Sequence, residues 1–432
     1  MGPSKTIGII AGGGSLPLEV ARSITARGDG VHLILVDDLA DGALKSFPHT
    51  NVNWAELGRG IRALQGANVR DVMFLGKYAR PSLLSARPDL QFIRALPSVL
   101  RILRAGGDDA VLRGLLALFE RHGFRIVGAA DVAPELLVGE GVLTQAEPTV
   151  ADNSDIAKGF ALVAALGRHD IGQGVVVSGG VIEAIEGAEG TDRMLERVGD
   201  NRKASGLFVA TARRGVLVKR PKPGQDMRVD VPAIGPATVS NAGEARLAGV
   251  AVQSSQVLAA SRSDLIAIAD AGGLFVAGVR DTQGGAIPAA KIGVADVIAL
   301  TAKTALSGAL KADIARGAAI LSDLSSFGVD SAVVIRSKRV LAIGAGEAAT
   351  AVVARAADLI SPKRKLQGVA IVKSGDMIDE ALLKGVSAAR LAGVAVIENT
   401  CKDNERWRRT VESAASMGLF LAKVGRPGAH HD

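Results

Sequence analysis

The chain has 432 residues, of which 48% are hydrophobic and 22% charged, with a formal net charge of +7. That balance indicates a folded protein with room for two to four cores and excludes a disordered chain. Its one cysteine, Cys401, excludes internal disulfides and Cys-based zinc sites, and no apolar run approaches the roughly 18 residues that cross a bilayer.

Thr6–Ala11 reads as a short buried strand, and Met1-Gly2 leads into it without the apolar stretch of a signal peptide. Gly12-Gly13-Gly14-Ser15 follows, then an amphipathic helix from about Pro17 to Arg27, with Pro17 suited to the first turn. Further strands are expected at Val31–Val36, Asp71–Leu75 and Phe124–Val127. Helices are expected at Leu57–Gln65, Leu90–Arg104 and Asp109–His122. This alternation predicts an α/β chain whose residues 1–150 form a Rossmann-like parallel sheet domain with helices on both faces.

A strand, glycine loop and helix N-terminus together attract phosphate, so Gly12, Gly13, Gly14 and Ser15 are candidate ligand contacts. The loop lacks a full dinucleotide fingerprint, although Asp37 and Asp38 stand where an NAD(P) enzyme would hold a ribose. Gly76-Lys77 ends a strand on the ligand edge, where Lys77 and Arg80 suit a phosphate, and Gly107-Asp108-Asp109 reads as a helix cap. The positive charge suits an anionic partner. Aromatic residues are only 3%, with Tyr78 the sole tyrosine, which argues against nucleic acid and leaves phosphate ligands and membranes. No histidines have metal-ligand spacing, so a metal, if used, is an oxygen-liganded one.

From residue 151 the chain repeats itself. Arg246-Leu247-Ala248-Gly249-Val250-Ala251-Val252 returns letter for letter at Arg390–Val396. Asp155–Gly159 answers Asp313–Gly317, and Gly273-Leu274-Phe275 answers Gly418-Leu419-Phe420. The order is kept, so 151–283 is read as an α/β catalytic domain and 300–432 as a duplicated, decayed copy of it. With one inserted residue, Glu183, Glu186, Glu189 and Asp192 all become alanine in the second copy. The same alignment keeps Thr191 as Thr350 and Lys219 as Lys373. The distance from Lys219 to Arg246 is 27 positions, but only 17 from Lys373 to Arg390. The missing stretch comes from Arg220–Gly235, a Pro/Gly-rich loop carrying Lys222, Asp226, Arg228 and Asp230, and it is the candidate active-site loop. Arg280–Pro288 reads as a linker, and Lys363–Lys365 and Arg406–Arg409 as solvated surface.

Five strings in this order carry a resemblance: Gly12–Pro17, Gly76-Lys77, Gly107–Asp109, Glu183–Asp192 and Lys222–Gly235. Over about residues 5–280 the chain resembles the UDP-2,3-diacylglucosamine pyrophosphatases of the LpxI type, which do not normally carry the last third. The resemblance implies a lipid-linked UDP-sugar bound between two domains. It implies water attack on the α-phosphorus, with release of UMP and 2,3-diacylglucosamine 1-phosphate (lipid X) in Gram-negative lipid A synthesis. It implies support by Mg²⁺ or another divalent cation, and peripheral attachment at the cytoplasmic face of the inner membrane. Asp226 becomes the essential carboxylate, and Asp226, Glu189, Asp192 and Asp230 the candidate metal ligands. Gly12, Gly13, Gly14, Ser15, Gly76, Lys77, Thr191, Lys222 and Arg228 become the candidate substrate contacts. A homodimer is compatible with this reading. The competing readings are a non-catalytic UDP-sugar or lipid-binding protein and an NAD(P)-dependent oxidoreductase, the latter weakened by the lack of a His/Tyr-Lys catalytic set.

Overall fold

The computed structural model describes residues 5–36, 41–76, 89, 93, 108–205, 213–223, 225–280, 297–301, 306–360, 366–398 and 404–424. The first unit runs β1 (Thr6–Ala11), α1 (Leu16–Ala26), β2 (Gly30–Val36), β3 (His49–Val52), α2 (Leu57–Gly66), β4 (Asp71–Leu75), α3 (Asp108–Arg121) and β5 (Arg125–Ile126). Its five strands lie in the order β3-β2-β1-β4-β5, all parallel. Alternate residues of β1 serve opposite faces. Ile7, Ile9 and Ala11 pack with Val20 and Ile24 of α1, whereas Ile10 packs with Ile61 and Leu64 of α2 and Leu116 and Phe119 of α3. Helices on both faces are what a strand of uninterrupted apolar residues demands. Strand β3 is an edge strand with polar letters and was not expected. The helix expected at Leu90–Arg104 lies outside the described residues but for Ile93.

The second unit runs β6 (Gly141–Val142), α4 (Val150–Gly167), β7 (Gly174–Ser178), β8 (Val181–Ile185), α5 (Thr191–Ala204), β9 (Val216–Lys219), β10 (Ala233–Ile234), α6 (Pro236–Glu244), β11 (Gly249–Gln253), β12 (Leu258–Ala259), α7 (Arg262–Gly272) and β13 (Phe275–Val279). Six strands form the sheet β6-β13-β11-β9-β7-β8, parallel through β13-β11-β9 and antiparallel elsewhere.

The third unit runs β14 (Val297–Ala299), α8 (Gly308–Leu324), β15 (Ala332–Arg336), β16 (Arg339–Ile343), α9 (Ala349–Asp358), β17 (Val369–Ser374), α10 (Glu380–Ala388), β18 (Gly393–Glu398), α11 (Asn404–Ser416) and β19 (Phe420–Val424). Its sheet, β14-β19-β18-β17-β15-β16, has the strand order and strand senses of the second unit, position for position.

The letters repeated in the sequence are packing letters. A Cβ on Gly159 of α4 would meet Val218 at 2.6 Å, and one on Gly317 of α8 would meet Ile371 at 2.6 Å, so each helix lies directly on its sheet. Gly249 and Gly393 each leave room for the ring of the adjacent strand, Phe275 and Phe420. Both hairpin tips are held from a helix. Asp155 accepts the N–H groups of Gly179 and Gly180 at 2.8 and 2.6 Å, and Asp313 accepts that of Lys338 at 2.9 Å.

Candidate functional site

The C-terminal ends of β1, β4 and β5 form one edge of the first sheet, the edge at which parallel α/β sheets receive ligands. The Gly12 N–H donates to the Leu75 carbonyl at 2.8 Å and draws the glycine loop against the end of β4. Gly76 follows with φ +104°, and a Cβ there would meet Gly12 and Gly13 backbone atoms at 2.8 Å, so this close approach requires glycine. Ser15 precedes α1 without capping it, and its Oγ lies 3.3 Å from the Oγ of Ser261, which precedes α7. The Ser261 N–H donates to both carboxylate oxygens of Glu19 at 2.9 and 3.0 Å, tying the first turn of α1 to the second unit.

The loop after β9 crosses to this same edge. Val229 packs on the α2/α3 side of the first unit, and Val231 and Ala233 on the α1 side. Gly128, just past β5, would place a Cβ 2.9 Å from the Met227 carbonyl oxygen and 3.1 Å from the Arg228 Cα. Asp226 is therefore carried by the second unit and presented at the ligand edge of the first. Arg228 grips it from three donors: N–H at 3.1 Å and Nε at 2.9 Å to Oδ1, and Nη2 at 2.7 Å to Oδ2. The bonds from Arg228 hold the Asp226 carboxyl below the ordinary carboxylate range, so it is ionised at neutral pH. Arg228 Nη1 also reaches Glu120 of α3 at 3.2 Å, which fastens the loop to the first unit.

The other expected loop residues are placed as follows. Asp230 accepts from Gln225 Nε2 at 2.6 Å, and Lys222 Nζ donates to Asp170 at 2.7 Å. Lys77 lies outside the described residues, as do Asp37, Asp38 and Arg80. Among the described residues no three His, Cys, Asp or Glu side chains gather to hold an ion. Asp226 is 28% exposed, so one ionised carboxylate reaches the surface at this edge.

The pattern of the LpxI N-terminal domain matches residues 6–136, and that of the LpxI C-terminal domain matches residues 139–277. The UDP-2,3-diacylglucosamine pyrophosphatase LpxI of Caulobacter vibrioides is 41% identical over 275 residues, 98% of that protein and 64% of this chain. The chain belongs to the LpxI family. Its third unit lies beyond both LpxI domain matches.

Within the LpxI C-terminal domain, strand register corrects the alignment read from sequence. Val175 pairs with Ile185 and Ser178 with Val181, while Val333 pairs with Ile343 and Arg336 with Arg339. The two hairpins are equal in length, so there is no inserted residue. Glu183, Glu186 and Asp192 answer to Leu341, Gly344 and Thr350, but Glu189 answers to Glu347 and is not lost. Arg197 donates to Glu189 at 3.0 Å and to the Ile185 carbonyl at 3.2 Å, and Arg355 repeats this with Glu347 at 2.6 Å and the Ile343 carbonyl at 2.8 Å. As an expected metal ligand Glu189 is therefore corrected: it is buried in an ion pair against the third unit. Glu183 is bonded to Arg202 at 2.8 Å, and Asp192 sits in the first turn of α5.

The same correction joins Thr191, a candidate substrate contact, to Lys219, which the sequence reading left out. Lys219 lies opposite Gly174, and Val372 opposite Ala332, so the counterpart of Lys219 is Val372 rather than Lys373. The counterpart of Thr191 is likewise Ala349. Lys219 is 8% exposed, and its Nζ donates to Thr191 Oγ1 at 3.0 Å; no carboxylate among the described residues pairs with it. A buried ammonium facing a helix N-terminus without a counter-charge is costly unless an anion joins it. Two apolar residues in the matching place of the third unit were the available signal, hidden by the shifted alignment.

Proposed function

We propose that this LpxI-family chain hydrolyses UDP-2,3-diacylglucosamine in lipid A biosynthesis. Water attacks the α-phosphorus, the bond from that phosphorus to the bridging oxygen breaks, and UMP and 2,3-diacylglucosamine 1-phosphate leave. The observation that carries this reading is the Asp226 loop, which brings an ionised carboxylate from the second unit to the phosphate-receiving edge of the first. Arg228 keeps Asp226 ionised and fixes its direction, so it can orient the attacking water or share an ion with the substrate. The backbone N–H groups of the glycine loop beyond Gly12 receive one phosphate, and Lys219 with Thr191 at the start of α5 neutralises the other. An Mg²⁺ ion held by Asp226 and the substrate would neutralise charge on the phosphoryl oxygens. The third unit is read as a duplicated, decayed copy without the catalytic loop.

No helix among the described residues is long and apolar enough to cross a membrane, and a net charge of +7 suits an anionic surface, in keeping with peripheral attachment at the cytoplasmic face. The test is incubation with UDP-2,3-diacylglucosamine and Mg²⁺ beside an Asp226→Ala variant, following UMP and lipid X. Turnover by the parent and its loss in the folded variant are expected. A folded parent that binds the substrate without turnover would replace this reading with a binding protein.

A further inference from the structure

The third unit meets the second as one subunit meets its twin. A single hydrophobic core serves both sheets, and equivalent residues enter it together: Ile156 with Ile314, Val175 with Val333, Ile185 with Ile343. Helices α4 and α8, themselves equivalents, pack on each other. At the edge of this core, Glu189 and Arg197 face their own counterparts, Glu347 and Arg355. Arg197 Nη1 lies 3.6 Å from Glu347, and these four side chains are only 8–15% exposed. The Ala188 N–H donates to the Leu341 carbonyl at 3.2 Å. A contact in which each element faces its own equivalent has the form of a two-fold, isologous interface. Here both halves belong to one chain.

We propose that residues 297–424 are a built-in partner. They occupy in cis the face through which a second copy of the 139–280 unit would pair, and so keep the chain monomeric. One pair of contacts is not reciprocated. His169 Nε2 lies 2.8 Å from Asp323 Oδ2, and Arg316 Nη2 donates to the His169 carbonyl at 2.6 Å. The positions equivalent to His169 and Asp323 hold Phe327 and Ala165, so two second units would make no such histidine–aspartate bond. The third unit therefore outcompetes a second copy by this bond and by being tethered. The inference rests on the contact and not on the reaction.

Mass measurement tests it. The full-length chain is expected to sediment as a single 44.2 kDa protomer at low and high micromolar concentration. A chain ended at Arg280 covers both LpxI domain matches, and is expected to double its mass by self-pairing. In the shortened chain Arg197→Glu sets four carboxylates together and abolishes the doubling, and adding Glu189→Arg restores it. A folded shortened chain that stays single, or one that pairs regardless of Arg197→Glu, would overturn the inference. So would a full-length chain that pairs through this face. If the shortened chain precipitates, the intact chain decides: a protease site is placed between residues 281 and 296 and cut after folding. The pieces are expected to co-migrate, and to separate when Arg197→Glu is present. Pieces that part at once on cutting would overturn the inference.

Discussion

The second and third units share a sheet, a set of glycine–phenylalanine contacts and a clamped hairpin, yet differ at the positions to which chemistry is assigned in the proposed reaction. After the central strand the second unit inserts the loop bearing Asp226, and the third does not. At the end of that strand the second unit buries Lys219 against Thr191, and the third has Val372 and Ala349. The longest repeated string, Arg246–Val252, lies on a strand core and its lead-in turn. Identity between the units thus records packing, while the Asp226 loop and the Lys219–Thr191 pair set the second unit apart.

The sharpest way to break this comparison is Asp226→Ala. Turnover is expected to fall about a hundredfold or more with the fold intact by circular dichroism, whereas Lys373→Ala in the third unit leaves the rate essentially unchanged. Equal losses would end the distinction between the units. Next, Lys219→Met is expected to lower kcat/KM by roughly ten- to a hundredfold without loss of stability, since it removes an uncompensated buried charge. The reverse exchange, Val372→Lys, is expected to destabilise the chain by about 3 kcal/mol in urea titration.

A smaller effect concerns pH. Burial holds the His169 imidazole below its ordinary value of 6.5, with Arg168 and Arg316 adding to the effect and Asp323 opposing it. The unfolded histidine takes up a proton that the folded one refuses. Its stabilisation is therefore full above pH 6.5 and is lost as pH falls toward the folded value. A drop in denaturant midpoints on acidification is expected, and it should vanish in His169→Phe, which installs the residue of the third unit. Smallest is Arg228→Met. The acid limb of the rate profile should move upward, because Asp226 loses the bonds that keep its carboxyl low.

Much of this was legible in the sequence, for identifiable reasons. Thr6–Ala11 and Asp71–Leu75 were read correctly because strands buried on both faces are uninterrupted apolar runs. His49–Val52 escaped because an edge strand needs no such run, and its letters are mostly polar. The Asp226 loop stood out through its absence from the third unit. Lys219 and Glu189 were misjudged by a shift of one residue: the pairing of β7 with β8 and of β15 with β16 fixes the register for Glu189, and that of β7 with β9 and of β15 with β17 fixes it for Lys219.

The hairpin tips carry a last consequence. Gly179 and Gly180 have φ of +57° and +78°, and Ser337 and Lys338 keep φ of +50° and +66° without being glycine. Left-handed backbone costs such residues on the order of 1–2 kcal/mol each, yet the bend survives because Asp313 grasps it from the helix as Asp155 does. The shape of the tip is thus dictated from below, by a carboxylate two elements away in the chain. Its outward side chains are left free to change, and variation there is addressed to the surroundings while the sheet beneath stays the same.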